Sequence, residues 1–430
     1  MQLEIEKLVY GGDGLARLRT NQPGPGKSVF VPFVLPGERV EARSIEEKPG
    51  FVRARLESIG AASPERIGPG CPYFGRCGGC HYQHARYERQ LAIKTAILKE
   101  TLRRTAKLEL PCELGIHHAA EWEYRNRTRL KVQSSPVFAL GYYEFRSHQL
   151  LPVEECPISS PLINRAIQAM WSVGRSAGFP TEITEIELFA NHSDSALLVS
   201  AYCRQGTRRR DARPLVGRLI QLVPEITGVA LFAEALPGRP KDGNRLASSE
   251  DPQLVYQTRR SSYRVGAASF FQVNRFLIDE LIEVVTGGAS GGLALDLYAG
   301  VGLFSTVLAR SFQRVVAVEA SSAALADLRH NAGDKVVAVQ ATTAEYLGKV
   351  SLHRPDLVVI DPPRAGVGEK IVHSLARLAP AAIRYVSCDP ATLARDLRFL
   401  VDRGYRIEEG HFIDLFPQSY HIESVFHLCR

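Results

Sequence analysis

Four short, almost uninterrupted apolar runs in the last third of the chain constrain its fold more than any other feature. Residues 294–300 read ALDLYAG, 314–320 RVVAVEA, 356–363 DLVVIDPP and 382–388 AIRYVSC, and each leads into a segment with helical periodicity. A strand covered on one face alternates apolar with polar residues, whereas a run that is apolar throughout must be covered on both faces. Four such runs separated by helices predict a largely parallel sheet between helical layers, a Rossmann-like α/β domain over residues 263–430. The tail, 407–429, reads as two further strands joined by a loop, which are expected to add an edge to that sheet.

The remaining chain follows other rules, and 430 residues are too many for one core. Residues 1–60 alternate short β-prone runs with Gly-Gly-Asp-Gly and Pro-Gly turns, which predicts a small OB-like β-barrel of the kind that holds nucleic acid. The PGPGKS stretch at 23–28 is not a phosphate loop, because Asn21 stands where that pattern needs glycine. Residues 61–262 mix strand and helix patterns and are expected to form a central α+β domain. A helix near 87–105, with Leu91, Ile93, Ala96, Ile97 and Leu98 on its apolar side, is expected to pack on the C-terminal domain. No apolar run is long enough to span a membrane and neither end has a signal peptide, so a monomeric cytoplasmic protein is expected. A formal charge of +7 and a pI near 9.0 lean towards a polyanionic partner.

In LDLYAGVGLF, Gly300 and Gly302 lie between a strand and a helix, where glycine lets the backbone turn tightly and approach a ligand. Glu319 ends the next strand about twenty residues later, the position of a carboxylate that meets a ribose diol. No third glycine follows at the dinucleotide spacing, so S-adenosylmethionine, which has a ribose and no phosphate, fits better than a dinucleotide. Asp361 opens DPPRAGV after the third apolar run, and its two prolines force the chain out of the sheet beside the pocket.

Cys388 follows the fourth run and precedes Asp389-Pro390 and a helix, whose N-terminus is expected to lower the thiol pKa. A thiolate there suits one problem in particular. Uracil is a poor nucleophile at C5, and addition of sulfur to C6 gives C5 enolate character. A base must later remove the C5 proton; Glu423 in HIESV is the candidate, with His421 as partner or competitor.

Cys71, Cys77 and Cys80 in CPYFGRCGGC place three thiols on one loop, and Cys156 in EECPI is the best fourth ligand, ahead of Cys112 and Cys203. Zinc and an iron–sulfur cluster both fit such a set, and His81 and His84 lie nearby. Arg125, Arg127, Arg129 and Lys131 alternate along one strand and are candidates for phosphate contacts, with GTRRRDAR at 206–213 a second positive patch.

Together these motifs resemble the RNA uracil-5-methyltransferases, specifically the iron–sulfur type that acts on 23S rRNA and carries an N-terminal TRAM domain. The resemblance rests on IEKLVYGGDGLAR, VFVPFVLPGERV, CPYFGRCGGC with EECPI, YRNRTRL, SFFQVN, LDLYAGVGLF, VVAVE, DPPRAGV, YVSCDP and HIESV, in that order. It implies that Cys71, Cys77, Cys80 and Cys156 hold a [4Fe–4S] cluster. It further implies that Gln272, Tyr298, Glu319 and Asp361 contact S-adenosylmethionine, that Cys388 is the nucleophile and that Glu423 is the base. Phe270 or Phe271 is implied to stack on a flipped base, and Arg125 and Arg127 to touch RNA. Leu303, where relatives carry a polar residue, and the missing Asn in QATTAEY depart from the pattern. A tRNA uridine or cytosine C5 methyltransferase, or an inactive RNA-binding relative, is the alternative.

Overall fold

The computed structural model describes residues 1–18, 26–234, 244–349 and 354–430; Pro23 to Pro25 of the PGPGKS stretch lie outside them. β1 (Gln2–Glu4), β2 (Lys7–Leu8), β3 (Asp13–Leu18), β4 (Lys27–Pro32), β5 (Arg39–Glu47) and β6 (Phe51–Ala61) form a sheet in the order β1-β5-β6-β4-β3-β2. The expected barrel is therefore a curled sheet rather than a closed one. β1 and β2 are consecutive pieces of chain that bend apart at Ile5 and Glu6, so β1 pairs with β5, β2 pairs with β3, and no ladder joins the two edges.

α1 (Tyr87–Thr101) runs into a π-helical turn at Leu102–Ala106, and β7 (Gly115–His117) follows. β8 (Arg127–Gln133), β9 (Ala139–Tyr143), β10 (Leu150–Pro152), α2 (Pro161–Arg175), β11 (Ile183–Ala190), β12 (Leu197–Cys203), α3 (Arg209–Ile220), β13 (Ile226–Ala233) and β14 (Arg245–Ser248) make the central layer. Its sheet order is β10-β9-β8-β11-β12-β13-β14. α2 starts where the Ser160 hydroxyl accepts the Ile163 N–H and Pro161 occupies the first turn. Its buried side, including Leu162, Ile167 and Met170, shares a core with Val199 and Ala201 of β12 and with Leu215 of α3.

Then come β15 (Gln253–Gln257), β16 (Ser262–Gly266), α4 (Ile278–Thr286), β17 (Gly291–Leu297), α5 (Ser305–Leu308), β18 (Phe312–Glu319), α6 (Ser322–Asn331) and β19 (Val336–Gln340). α7 (Thr343–Lys349), β20 (Leu357–Ile360), α8 (Gly368–Leu378), β21 (Ala382–Ser387), α9 (Pro390–Val401), β22 (Arg406–Ile413) and β23 (Glu423–Cys429) complete the chain. The sheet order is β19-β18-β17-β20-β21-β23-β22-β7. The four apolar runs are its parallel centre, buried on both faces as their composition requires.

The tail differs from expectation in one respect. β23 is interior, antiparallel between β21 and β22, and the outer edge is β7, contributed from the segment before the central sheet. β23 is buried along most of its length, so it cannot serve as a solvated edge. The boundary expected at 262/263 falls inside β16, one residue into a strand paired with β15. Leu91, Ile97 and Leu98 of α1 lie in one core with Leu393 and Leu397 of α9, and with Val29 and Val31 of the N-terminal sheet. Strand order reverses at β17, whose neighbours β18 and β20 are served by connections leaving in opposite directions. Such a reversal opens a crevice at the carboxyl ends of the strands.

Candidate active site

A cavity of about 680 Å³ occupies that crevice, lined by Phe270 to Gln272, the 298–301 turn, Glu319, Asp361 to Arg364, Cys388, His421 and Glu423 among others. The fold thus gathers residues more than 150 positions apart in sequence. Gly300 has φ +55°, and its N–H donates to Glu319 Oε2 at 2.8 Å; Ser321 N–H donates to Oε1 at 2.6 Å. Glu319 therefore braces two loops at the cavity wall. Gly302, expected beside a ligand, does not line the cavity: a Cβ there would stand 2.7 Å from Leu328 Cδ1, so this glycine allows α6 to pack closely. Tyr298 also has positive φ, +67°, a strain that bulky residues keep where surrounding structure imposes it.

Burial pushes the Asp361 carboxyl up to about 7. Asp296, which was not singled out from sequence, sits fully buried in β17 and accepts from the Ser305 hydroxyl, while its other oxygen has no partner. Burial raises it to about 7 as well, with Asp361 and Glu319 adding repulsion. Its signal was available: an acid inside the apolar run ALDLY must be compensated locally or functionally.

Cys388 is half-buried, and its thiol is pushed up to about 12, first by burial and then by the negative charges of Glu423 and Asp361. Burial and these charges outweigh the expected lowering by the helix, at whose N-terminus the Asp389 carboxylate accepts the N–H groups of Ala391 and Thr392, both at 3.0 Å. That side chain adds negative charge where the helix would have offered positive. Glu423 is raised well above its ordinary value by burial and by Asp361, with Arg364 opposing. Arg364 also lies 3.2 Å from His421 Nδ1, and burial with this guanidinium drops His421 to about 3, so its ring is neutral.

Of the two phenylalanines, Phe270 is 66% exposed and Phe271 only 2%. Phe271 packs against Tyr256 with ring centroids 4.6 Å apart, so it is core, and stacking on a base is open only to Phe270.

Cys71, Cys77, Cys80 and Cys156 line a second cavity of about 440 Å³, together with Arg125. Tight turns shape the loop: Cys77 N–H donates to Tyr73 O at 2.8 Å, and Gly79 N–H to Cys77 Sγ at 3.4 Å. Asn164 clasps Cys156 by its N–H and carbonyl, 2.9 and 3.1 Å. Cys203 is instead buried in β12, and Cys112 donates to Glu408 O. Burial raises the Cys71, Cys77 and Cys80 thiols, and a Cys156 thiolate raises each further. No three of the four sulfurs lie within 4.8 Å of one another.

The basic strand is not the open phosphate-binding face expected of it. β11 pairs with β8 and sets Glu185 opposite Lys131 and Glu187 opposite Arg129. Arg127 donates to Glu187 and to Ser269 O and lies over the Phe189 ring, and Arg129 pairs with Glu185 and Glu187. Arg125 donates to Arg127 O at 2.9 Å and faces the cysteine cavity. Arg208, Arg209, Arg210 and Arg213 of the second patch are exposed.

The comparisons with known proteins agree with this layout. The profile of the tRNA (uracil-5-)-methyltransferase family matches residues 86–430, and that of the TRAM domain matches residues 1–56. An uncharacterized RNA methyltransferase of Aquifex aeolicus is 34% identical over 99% of this chain and 97% of its own. One from Streptomyces avermitilis is 32% identical over 99% and 96%. The crystal structure of Pyrococcus abyssi tRNA (uracil-54, C5)-methyltransferase with S-adenosyl-L-homocysteine matches with a TM-score of 0.77, 23% identity and 100% coverage of both chains, a likeness of fold. Fold and family together define an S-adenosylmethionine-dependent RNA methyltransferase. More closely, the chain belongs to the tRNA (uracil-5-)-methyltransferase family. No helix among the described residues is long and apolar enough to cross a membrane.

Proposed function

We propose that the protein methylates C5 of a uracil in RNA, with Cys388 adding to C6 and Glu423 removing the C5 proton. The observation that carries this reading is that Cys388 and Glu423 line one cavity and Cys388 feels the charge of Glu423, with Arg364 as their shared counter-charge. The sulfur forms a bond to C6 and density moves towards C5 and O4. Once C5 carries the methyl group, Glu423 takes its proton and the C–S bond breaks, restoring the C5–C6 double bond. Glu423 suits this because a carboxylate with a raised pKa is a stronger base. His421 suits it less, since its ring nitrogen already faces the Arg364 guanidinium.

The acidic wall fits S-adenosylmethionine, a cation without phosphates. Asp296, Glu319 and Asp361 repel one another in low dielectric, and a positively charged ligand relieves that repulsion. Gln272, Tyr298, Glu319 and Asp361 would hold the cofactor, and Gly300 leaves room for it, with nothing within 4 Å of where its Cβ would be. When bound it supplies an electrophilic methyl group. Phe270, exposed at the cavity, would stack on a uracil turned out of its RNA.

We place tRNA ahead of 23S rRNA as substrate. The family is named for tRNA, and the P. abyssi tRNA enzyme shares the whole fold, N-terminal sheet included, so that sheet does not by itself point to rRNA. Labelled methyl incorporation into isolated tRNA and rRNA, followed by nucleoside analysis, tests both levels. A product other than 5-methyluridine ends the proposal, and 5-methyluridine confined to 23S rRNA ends the ranking.

For the four cysteines we propose an iron–sulfur cluster rather than zinc. Zinc–thiolate bonds of about 2.3 Å set sulfur–sulfur edges near ~3.8 Å, tighter than the wider spread here. Thiolates gathered around one cavity repel one another and ask for a cationic centre, and a larger one fits that spread.

A further inference from the structure

The edge of the C-terminal sheet carries a second set of donors that methylation does not use. Antiparallel pairing places Glu409 opposite His427, and the two-residue period keeps His411 on the face of Glu409. Glu409 Oε2 lies 3.1 Å from His427 Nδ1 and 3.2 Å from His411 Nε2, and all three donor atoms fall within 4.8 Å of one another.

With all three rings neutral, the surrounding hydrogen bonds set both tautomers. The Glu280 carboxylate can only accept, so His117 Nδ1 donates to it at 2.7 Å; His117 Nε2 then accepts from His411 Nδ1 at 3.0 Å. This leaves the lone pair of His411 on Nε2, facing Glu409. His427 Nε2 must donate to the Val284 carbonyl at 2.8 Å, which leaves its lone pair on Nδ1, also facing Glu409. Three acceptors converge with no hydrogen among them.

We propose that Glu409, His411 and His427 bind a divalent transition-metal ion of the zinc class. The 3.1 and 3.2 Å separations match the ~3.3 Å edge of a tetrahedron with ~2.0 Å bonds. Each histidine has its outer nitrogen held by a carbonyl or a carboxylate relay, as metal-bound imidazoles do. The relay also needs Gly115, because a Cβ there would stand 2.6 Å from His411 Nδ1. Arg384, paired in register with His427, opposes a cation, and Glu408 and Glu409 offset it. The ion would clamp α4, β7, β22 and β23 together.

Full-length protein stripped by chelator and titrated with Co²⁺ provides the test. The expected result, in Cys71→Ser/Cys77→Ser protein where the cysteine cavity no longer competes, is one equivalent with ligand-field bands and no sulfur-to-metal charge transfer, lost on adding His411→Asn/His427→Asn or Glu409→Gln, an exposed side chain whose change the fold tolerates. Glu280→Gln, which touches no donor atom, should weaken Zn²⁺ binding about 10–100-fold while leaving the metal-free Tm unchanged. A Cys71→Ser/Cys77→Ser protein without the sulfur-free signal, or Zn²⁺ affinity of that protein unaltered by Glu280→Gln, overturns the proposal.

Discussion

The Tyr10 hydroxyl donates to the carbonyl oxygen of Cys388 at 3.2 Å, joining the N-terminal sheet to the loop that carries the thiol. The Tyr10 ring also meets Tyr420 edge-on at 5.5 Å, and Tyr420 contacts His421 and His81. The N-terminal sheet is thus part of the wall around the thiol. Removing one such bond costs about 0.5–1.5 kcal/mol, so Tyr10→Phe should remain folded. Steady-state kinetics should show a lower kcat with the cofactor KM unchanged; an unchanged kcat would mean the contact is only structural.

The Cys388 thiol is held up to about 12 partly by Glu423. Glu423→Gln removes that charge, so the thiol should titrate at lower pH and react faster with iodoacetamide at pH 8. Methylation should nevertheless fall about 10²–10⁴-fold, the usual worth of a general base. RNA should then accumulate as a denaturant-resistant adduct with the variant, absent in Cys388→Ala/Glu423→Gln. Gel electrophoresis of labelled RNA reads both variants.

Asp361 titrates at about 7 when folded against an ordinary 3.8. A raised acid favours the fold while protonated, so this stability is complete below pH 4 and is lost as pH rises through 7. Asp361→Asn should therefore be more stable than wild type at pH 8, by about 2–4 kcal/mol, with the gain gone near pH 4. Urea melts across that range measure it. A cationic cofactor analogue should recover part of the difference in wild type, and S-adenosyl-L-homocysteine, which lacks the sulfonium charge, should recover less.

How much of this could be read in advance depended on whether the signal was local. The parallel strands were legible because burial on both faces demands continuous apolar runs, and Gly300, Glu319, Asp361 and Cys388 because each ends such a run. Spacing and chemistry suggested the ribose for Glu319 and addition to C6 for Cys388, and family resemblance added cofactor contacts for Gln272, Tyr298 and Asp361. The interior place of β23 and the arrival of β7 were not legible, since both depend on which strands meet across more than 290 residues. The basic face of β8 misled for the same reason: Glu185 and Glu187 neutralise it from a strand more than 50 residues away. The raised Cys388 thiol is not legible locally either, since burial and the charges of Glu423 and Asp361, which raise it, depend on the fold.

The cysteine loop also reaches the segment that carries the proposed base. His81 and Tyr82 N–H groups donate to Gln418 O at 2.7 and 2.9 Å, and Gln418, with φ +66°, lies five residues before Glu423. Removing the proposed cluster should loosen this strut. Cys80→Ser should lose the broad visible absorption and bound iron, and should lower kcat more than it raises the cofactor KM. Unchanged kcat in iron-free protein would separate the loop from catalysis.

Lys94 and Asp414 form a salt bridge of 2.7 Å in which neither side chain has any exposure. Lys94 also donates to Phe416 O at 2.9 Å, and Tyr87 donates to Asp414 at 2.9 Å, so the pair anchors the start of the loop leading to Glu423. Lys94→Met strands a carboxylate in the core and should cost about 3–5 kcal/mol. Lys94→Met/Asp414→Asn buries no charge, and its stability should return most of the way, as denaturant melts will show. Methylation should not return with it, because the Phe416 carbonyl keeps only its bonds from Ser419 and loses its tie to α1, so the segment carrying Glu423 is no longer held from both sides. If activity follows stability back to the wild-type level, the ion pair serves the fold alone.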